Sequence, residues 1–159
     1  MHFISDFTQM AVSEVYDTML GVKVETVRVC GGADMPHDTV CGILGSVSFA
    51  GKINGTLHMQ YSPKLAKDVV EKMIGFRPLD LQAAEVADVI GEITNMVSGT
   101  MKRHTSMRGY DGWLSPPIVM QGDNIVVEGK GAPIAIYNLF RIPAFNEELG
   151  VRVFVKLNG

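Results

Sequence analysis

From Asp80 to His104 the chain alternates apolar and polar residues with the period of an α-helix. At about 100° per residue, Val86, Val89, Ile90, Ile93, Val97, Thr100 and Met101 share one face, as they would on a helix packed against a core. Glu85, Asp88, Glu92, Asn95, Gly99 and Arg103 share the opposite face, within about a third of the circumference. Gly91 and Gly99 each cost a helix interior about 0.5–1 kcal/mol relative to Ala, so each asks for a reason. Close approach of another backbone is one such reason. For Gly99, on the polar face, the approaching body would come from outside the domain. Asp80 stands where it would cap this helix, with Glu85 supporting its positive end.

The rest of the pattern supplies a frame for that helix. Phe7, Met10, Ala11, Val15 and Met19 predict a first helix from about Ile4 to Leu20, stopped by Gly21. Strand alternation follows over Lys23 to Val29, then the turn Cys30 to Asp38. Thr39 to Ala50 and Ile53 to Tyr61 read as a hairpin joined at Gly51-Lys52. Ser62-Pro63 is a helix start, and Leu65, Ala66, Val69, Val70 and Met73 carry an apolar stripe to Gly75. After the long helix, Thr105 to Pro117 reads as a thirteen-residue loop of functional length, with Trp113 either packing it down, the favoured reading, or serving as an interface anchor. Strands are then predicted at Ile118 to Met120, Asn124 to Glu128, Pro133 to Ile142 and Val151 to Leu157. The order is αβββ, αα, then three or four strands: an α/β chain of the α+β type, with helices packed on an antiparallel or mixed sheet. A weak internal repeat places Glu14 and Asp17 of the first helix where the long helix has Glu92 and Asn95, and Met10 where it has Asp88.

Composition narrows the class. The 159 residues, 47% of them hydrophobic, suit a single domain over 1–159 with a real core, and exclude disorder. No apolar run approaches the ~20 residues of a membrane span, and the N-terminal segment lacks the pattern of a signal peptide, so the expected location is the cytoplasm. A net charge of -3, with scattered Lys and Arg, gives no footprint for nucleic acid. Cys30 and Cys41 have no metal-ligand spacing and read as buried reduced thiols. His2, His37, His58 and His104 are dispersed, with His104 placed to favour the helix C-terminus.

Asp88-x3-Glu92-x2-Asn95 with a later Pro116 closely resembles the signature of the CheC, CheX and FliY phosphatases of bacterial chemotaxis. Pro117 lies one residue nearer the spacing of that signature. The order of elements along nearly the whole chain is similar to CheX, and a single Glu-x-x-Asn helix also favours CheX. The resemblance implies hydrolysis of the aspartyl phosphate on a response regulator similar to CheY. In that reading Asn95 orients the attacking water, and Glu92 pairs with the Lys of the regulator's active site. Asp88, Gly99 and Pro116 would contact the partner. It further implies a homodimer, no metal site on this chain, and Mg²⁺ on the regulator.

Other chemistries lack residues. Cys30-Gly31-Gly32 and Gly42-x-x-Gly45 do not match a phosphate-binding or dinucleotide fingerprint and read as turns and bulges. No Gly-x-Ser-x-Gly elbow and no Cys/His pair with a helper is present. The alternative from another class is a non-catalytic adaptor that binds a regulator through the same helix.

Overall fold

The computed structural model describes residues 2–36, 39–129 and 132–157. Helix α1 (His2–Leu20) is followed by strand β1 (Glu25–Gly31), a short 3-10 turn (Gly32–Asp34), β2 (Thr39–Gly51) and β3 (Ile53–Tyr61). Helices α2 (Pro63–Ile74) and α3 (Ala84–Met107) precede β4 (Gly112–Leu114), β5 (Ile118–Val126), β6 (Ile134–Ile142) and β7 (Glu147–Leu157). The predicted boundaries of α2 hold for the predicted reason. Ser62 Oγ accepts from the Leu65 N–H at 3.0 Å, and Gly75 closes the helix at φ 89°.

All strand pairs are antiparallel, in the order β1-β6-β7-β3-β2-β4, with β5 also paired to β2. Matching β5 with β1, β6 with β2 and β7 with β3 makes the order β1-β6-β7-β3-β2-β5 read the same from either edge. The faint repeat in the sequence is therefore plain in the topology, with α1 and α3 as its paired helices.

Strand alternation sends Ile43, Val47, Leu57, Met59, Ile136, Phe140, Val151, Val153 and Val155 under the three helices, into one continuous core. Beneath the helices Tyr16 and Tyr61, both fully buried, meet hydroxyl to hydroxyl at 2.6 Å. Val40, Leu44, Val127 and Phe154 form a second, smaller core on the far face of the sheet. There Arg152 is buried, its Nε donating to Gln60 Oε1 at 3.0 Å and its guanidinium lying over the Tyr137 ring.

Several expectations need correction. Asp80 does not cap α3: its carboxylate accepts from Gln82 N–H at 2.8 Å in a local turn, and the helix begins four residues later, after Ala83. Nearly half of the expected loop lies in regular elements, because α3 runs on to Met107 and β4 pairs with the end of β2. Ile118–Val126 is one strand where two were expected, since pairing with β2 carries it through the Gly122-Asp123-Asn124 turn signal. Trp113 does not pack the loop down. It is 70% exposed, in β4 opposite Ala50 of β2. Neither cysteine is buried: Cys30 is half-buried and Cys41 exposed in β2 opposite a bulge in β5, and both are free thiols. Strand β6 lies inside the sheet, so the edges to be covered belong to β1 on one side and β4 and β5 on the other.

Candidate functional site

Helix α3 is anchored by what it buries. Val86, Val89, Ile90, Ile93, Val97 and Met101 are all in the core, joined there by Gly91, Thr94 and Ser98. Each large apolar side chain so buried contributes about 1.5–3 kcal/mol, which fixes the rotation of the helix. Thr94 and Ser98 satisfy their hydroxyls within the helix, donating to the carbonyls of Ile90 (2.7 Å) and Thr94 (2.8 Å).

The opposite face carries the candidate residues. Glu92, Asn95, Asp88 and Glu85 are exposed and Gly99 is half-exposed. Glu92 and Asn95, three apart, have Cβ atoms about 5–6 Å from one another on one helix surface. Among the described residues, neither the Glu92 carboxylate nor the Asn95 amide has a hydrogen-bond partner. A rigid support thus presents a carboxylate and a carboxamide with their polar atoms free for something outside the chain.

The surroundings of this face differ from one side to the other. Toward the sheet edge, the segment before β5 approaches α3 at Gly91: a Cβ there would stand 3.4 Å from Val119 Cγ2 and 3.9 Å from Pro117 Cγ. Pro117 is the proline beside the Glu92 turn, half-buried, whereas Pro116 is exposed. Toward α1, Arg103 donates through Nη2 to both oxygens of Glu14, at 3.0 and 3.2 Å, and His104 stacks on Phe7 with ring centroids 5.2 Å apart. Gly99 has no atom within 4 Å of where a Cβ would lie, so nothing within the described structure requires a glycine there.

Two features of the site escaped the sequence. Gly42-x-x-Gly45 splits: Gly42 follows a bulge at φ 127°, but Gly45 sits in regular strand directly beneath Thr94. The Arg103–Glu14 pair joins residues 89 apart, and no local pattern announces it. Among the described residues, no cluster of His, Cys, Asp and Glu is placed to hold a metal ion, and no helix is long and apolar enough to cross a membrane.

A family model described as chemotaxis phosphatase CheX matches residues 43–138, the span that holds most of β2, both later helices and the Glu92–Asn95 turn. Solved structures share the fold. The chemotaxis protein CheX from Vibrio vulnificus is 23% identical at a TM-score of 0.86, covering 96% of this chain and 99% of that one. The CheX of a CheX-CheY-BeF3-Mg²⁺ complex from Borrelia burgdorferi is 20% identical at 0.78, covering 95% and 96%. FliY from Thermotoga maritima is 15% identical at 0.67, covering 95% and 86%. No curated protein matches the chain.

Proposed function

The chain belongs to the CheX family of chemotaxis phosphatases, and from that membership we propose that it hydrolyses the aspartyl phosphate of a CheY-like response regulator. One observation carries this reading: Glu92 and Asn95 stand one turn apart, exposed and without a hydrogen-bond partner among the described residues, on a helix whose other face is locked in the core.

Hydrolysis requires water to attack phosphorus in line with the leaving carboxylate, so the task is mainly positioning and charge stabilisation. Asn95 accepts a hydrogen bond from the attacking water through Oδ1 and keeps Nδ2 to donate. Glu92 pairs with the Lys of the regulator's active site, which fixes the register of α3 over the phosphate. Gly99 lets the partner backbone come close, and Asp88 and Pro116 line the rim of the contact, with Pro117 holding the β5 side of the turn. Mg²⁺ belongs to the regulator in this reading, as the composition of the Borrelia complex suggests. Residues 1–159 act as one cytoplasmic unit. A homodimer completes the proposal: among the described residues β5 pairs only with β2, and it carries one charged residue, Asp123, in nine, which leaves an edge suited to a second copy.

The test is the decay of phosphate on a response regulator from the same genome, with Mg²⁺, alone and with wild-type or Asn95→Ala protein. Acceleration by wild type, reduced on the order of 10² to 10³ or more in Asn95→Ala, is the expected result. Glu92→Ala should impair binding as well as turnover. No acceleration of any regulator, with binding retained, would replace the phosphatase with a non-catalytic adaptor.

A further inference from the structure

We propose that Gly45 on β2 is a positioning residue for the Glu92–Asn95 turn: its missing side chain lets Thr94 seat on the sheet and so sets how far the turn stands out from the core. The catalytic part of this inference rests on the phosphatase reading; the geometric part does not.

Thr94 lies between Glu92 and Asn95, is completely buried, and points at Gly45. A Cβ at Gly45 would collide with Thr94 Oγ1, stand 3.2 Å from Thr94 Cβ and 3.4 Å from Ile90 Cγ2. Two of the three staggered χ1 positions of Thr94 set Oγ1 or Cγ2 against the intruding methyl, and the third, which turns Hβ toward it, takes Oγ1 away from its present bond to the Ile90 carbonyl. Thr94 Cβ stays at 3.2 Å in every rotamer. Rotation alone therefore leaves the contact tight, and the remaining relief comes from separation of α3 and β2 at the turn that carries the site.

The other glycines around the site make no such demand. A methyl at Gly91 meets neighbours at ordinary van der Waals distance, and one at Gly99 meets open space. Gly45 also weakens the strand in which it sits, where it is paired with Met59 on one side and Val119 on the other. Its backbone is not among those with positive φ, so close approach of the helix is the physical reason for it.

The experiment compares Gly45→Ala, Thr94→Ala and the double variant in the phosphate-decay assay, with thermal unfolding to show that each is folded. Misplacement by about 1 Å in a positioning-dependent reaction is expected to lower kcat of Gly45→Ala on the order of 10²-fold, with KM changed much less. Thr94→Ala, which removes Oγ1 and Cγ2, leaves room for the methyl after a shift of a few tenths of an ångström, so the double variant should recover most of the kcat of Thr94→Ala alone. Near-wild-type kcat in a folded Gly45→Ala, or a folded double variant that stays slow, overturns the proposal. Where Gly45→Ala does not fold, the double variant decides. Where wild type accelerates nothing, the phosphatase reading fails on its own, and crystal structures of wild type and Gly45→Ala decide the geometry. An outward shift of α3 at Asn95 supports the proposal and an unmoved helix overturns it.

Discussion

Arg103 near the end of α3 grips both carboxylate oxygens of Glu14 on α1, the residue that the internal repeat matches with Glu92. The two carboxylates therefore differ in availability: Glu14 is engaged by a cation of its own chain, and Glu92 is not engaged among the described residues. Both members of the pair are about half exposed, so it adds less than about 1 kcal/mol to stability. Glu92→Gln is expected to weaken regulator binding and flatten its dependence on salt. Glu14→Gln should leave both unchanged. Titration of regulator binding at low and high ionic strength distinguishes the two, and equal effects would remove the special role given to Glu92.

Gly99 should trade stability against docking. With open space where its Cβ would be, Gly99→Ala gains helix propensity of about 1 kcal/mol, which raises Tm by a few degrees in a chain of this size. If the partner backbone approaches there, the same methyl raises KM, and Gly99→Gln raises it further. A stabilised Gly99→Gln variant with unchanged KM would move the docking surface elsewhere on the helix.

The contrast between Gly99 and Gly45 also shows what the sequence could reveal. Gly99 was legible because a helix has a strong period, and a glycine on its polar face stands out. The face of Glu92 and Asn95 was legible for the same reason, as were the cap at Ser62 and the β2–β3 hairpin. Gly45 was hidden among turn-like glycines, because the atom that requires it, Thr94 Oγ1, lies 49 positions away. Asp80 misled because a carboxylate serves a local turn as readily as a helix cap. Trp113 misled because hydrophobicity argued for burial, while pairing with β2 places it in an edge strand where it stays 70% exposed.

Tyr16 and Tyr61 should be coupled. Their hydroxyls bond to each other in the core, and burial pushes both phenol pKa values well up, so both remain neutral. Tyr61→Phe strands the Tyr16 hydroxyl, at a cost of about 1–3 kcal/mol. Tyr16→Phe strands the other. Tyr16→Phe with Tyr61→Phe removes both polar groups and should cost clearly less than the sum of the single changes. Additive losses in urea unfolding would mean that the two hydroxyls have other partners.

His58 should give the protein an acid-sensitive limb. Its Nδ1 lies 2.6 Å from Ser46 Oγ on the far face of the sheet, and burial first, then the charge of Arg152, lower its pKa to about 4 from 6.5. Above pH 6.5 the ring is neutral in both folded and unfolded chains and contributes nothing to pH dependence. Between pH 6.5 and 4 the unfolded chain takes up a proton that the folded chain refuses, so stability falls as pH falls. The loss from this one residue reaches on the order of 3 kcal/mol before levelling off below pH 4, where the folded ring is protonated too. Replacing His58 with Gln keeps a partner for Ser46 and removes the titration. The difference in unfolding free energy between wild type and His58→Gln should therefore shift in favour of the variant from pH 7 to pH 4.5. Parallel stability profiles across that range would show that the folded ring takes up a proton as easily as the unfolded one.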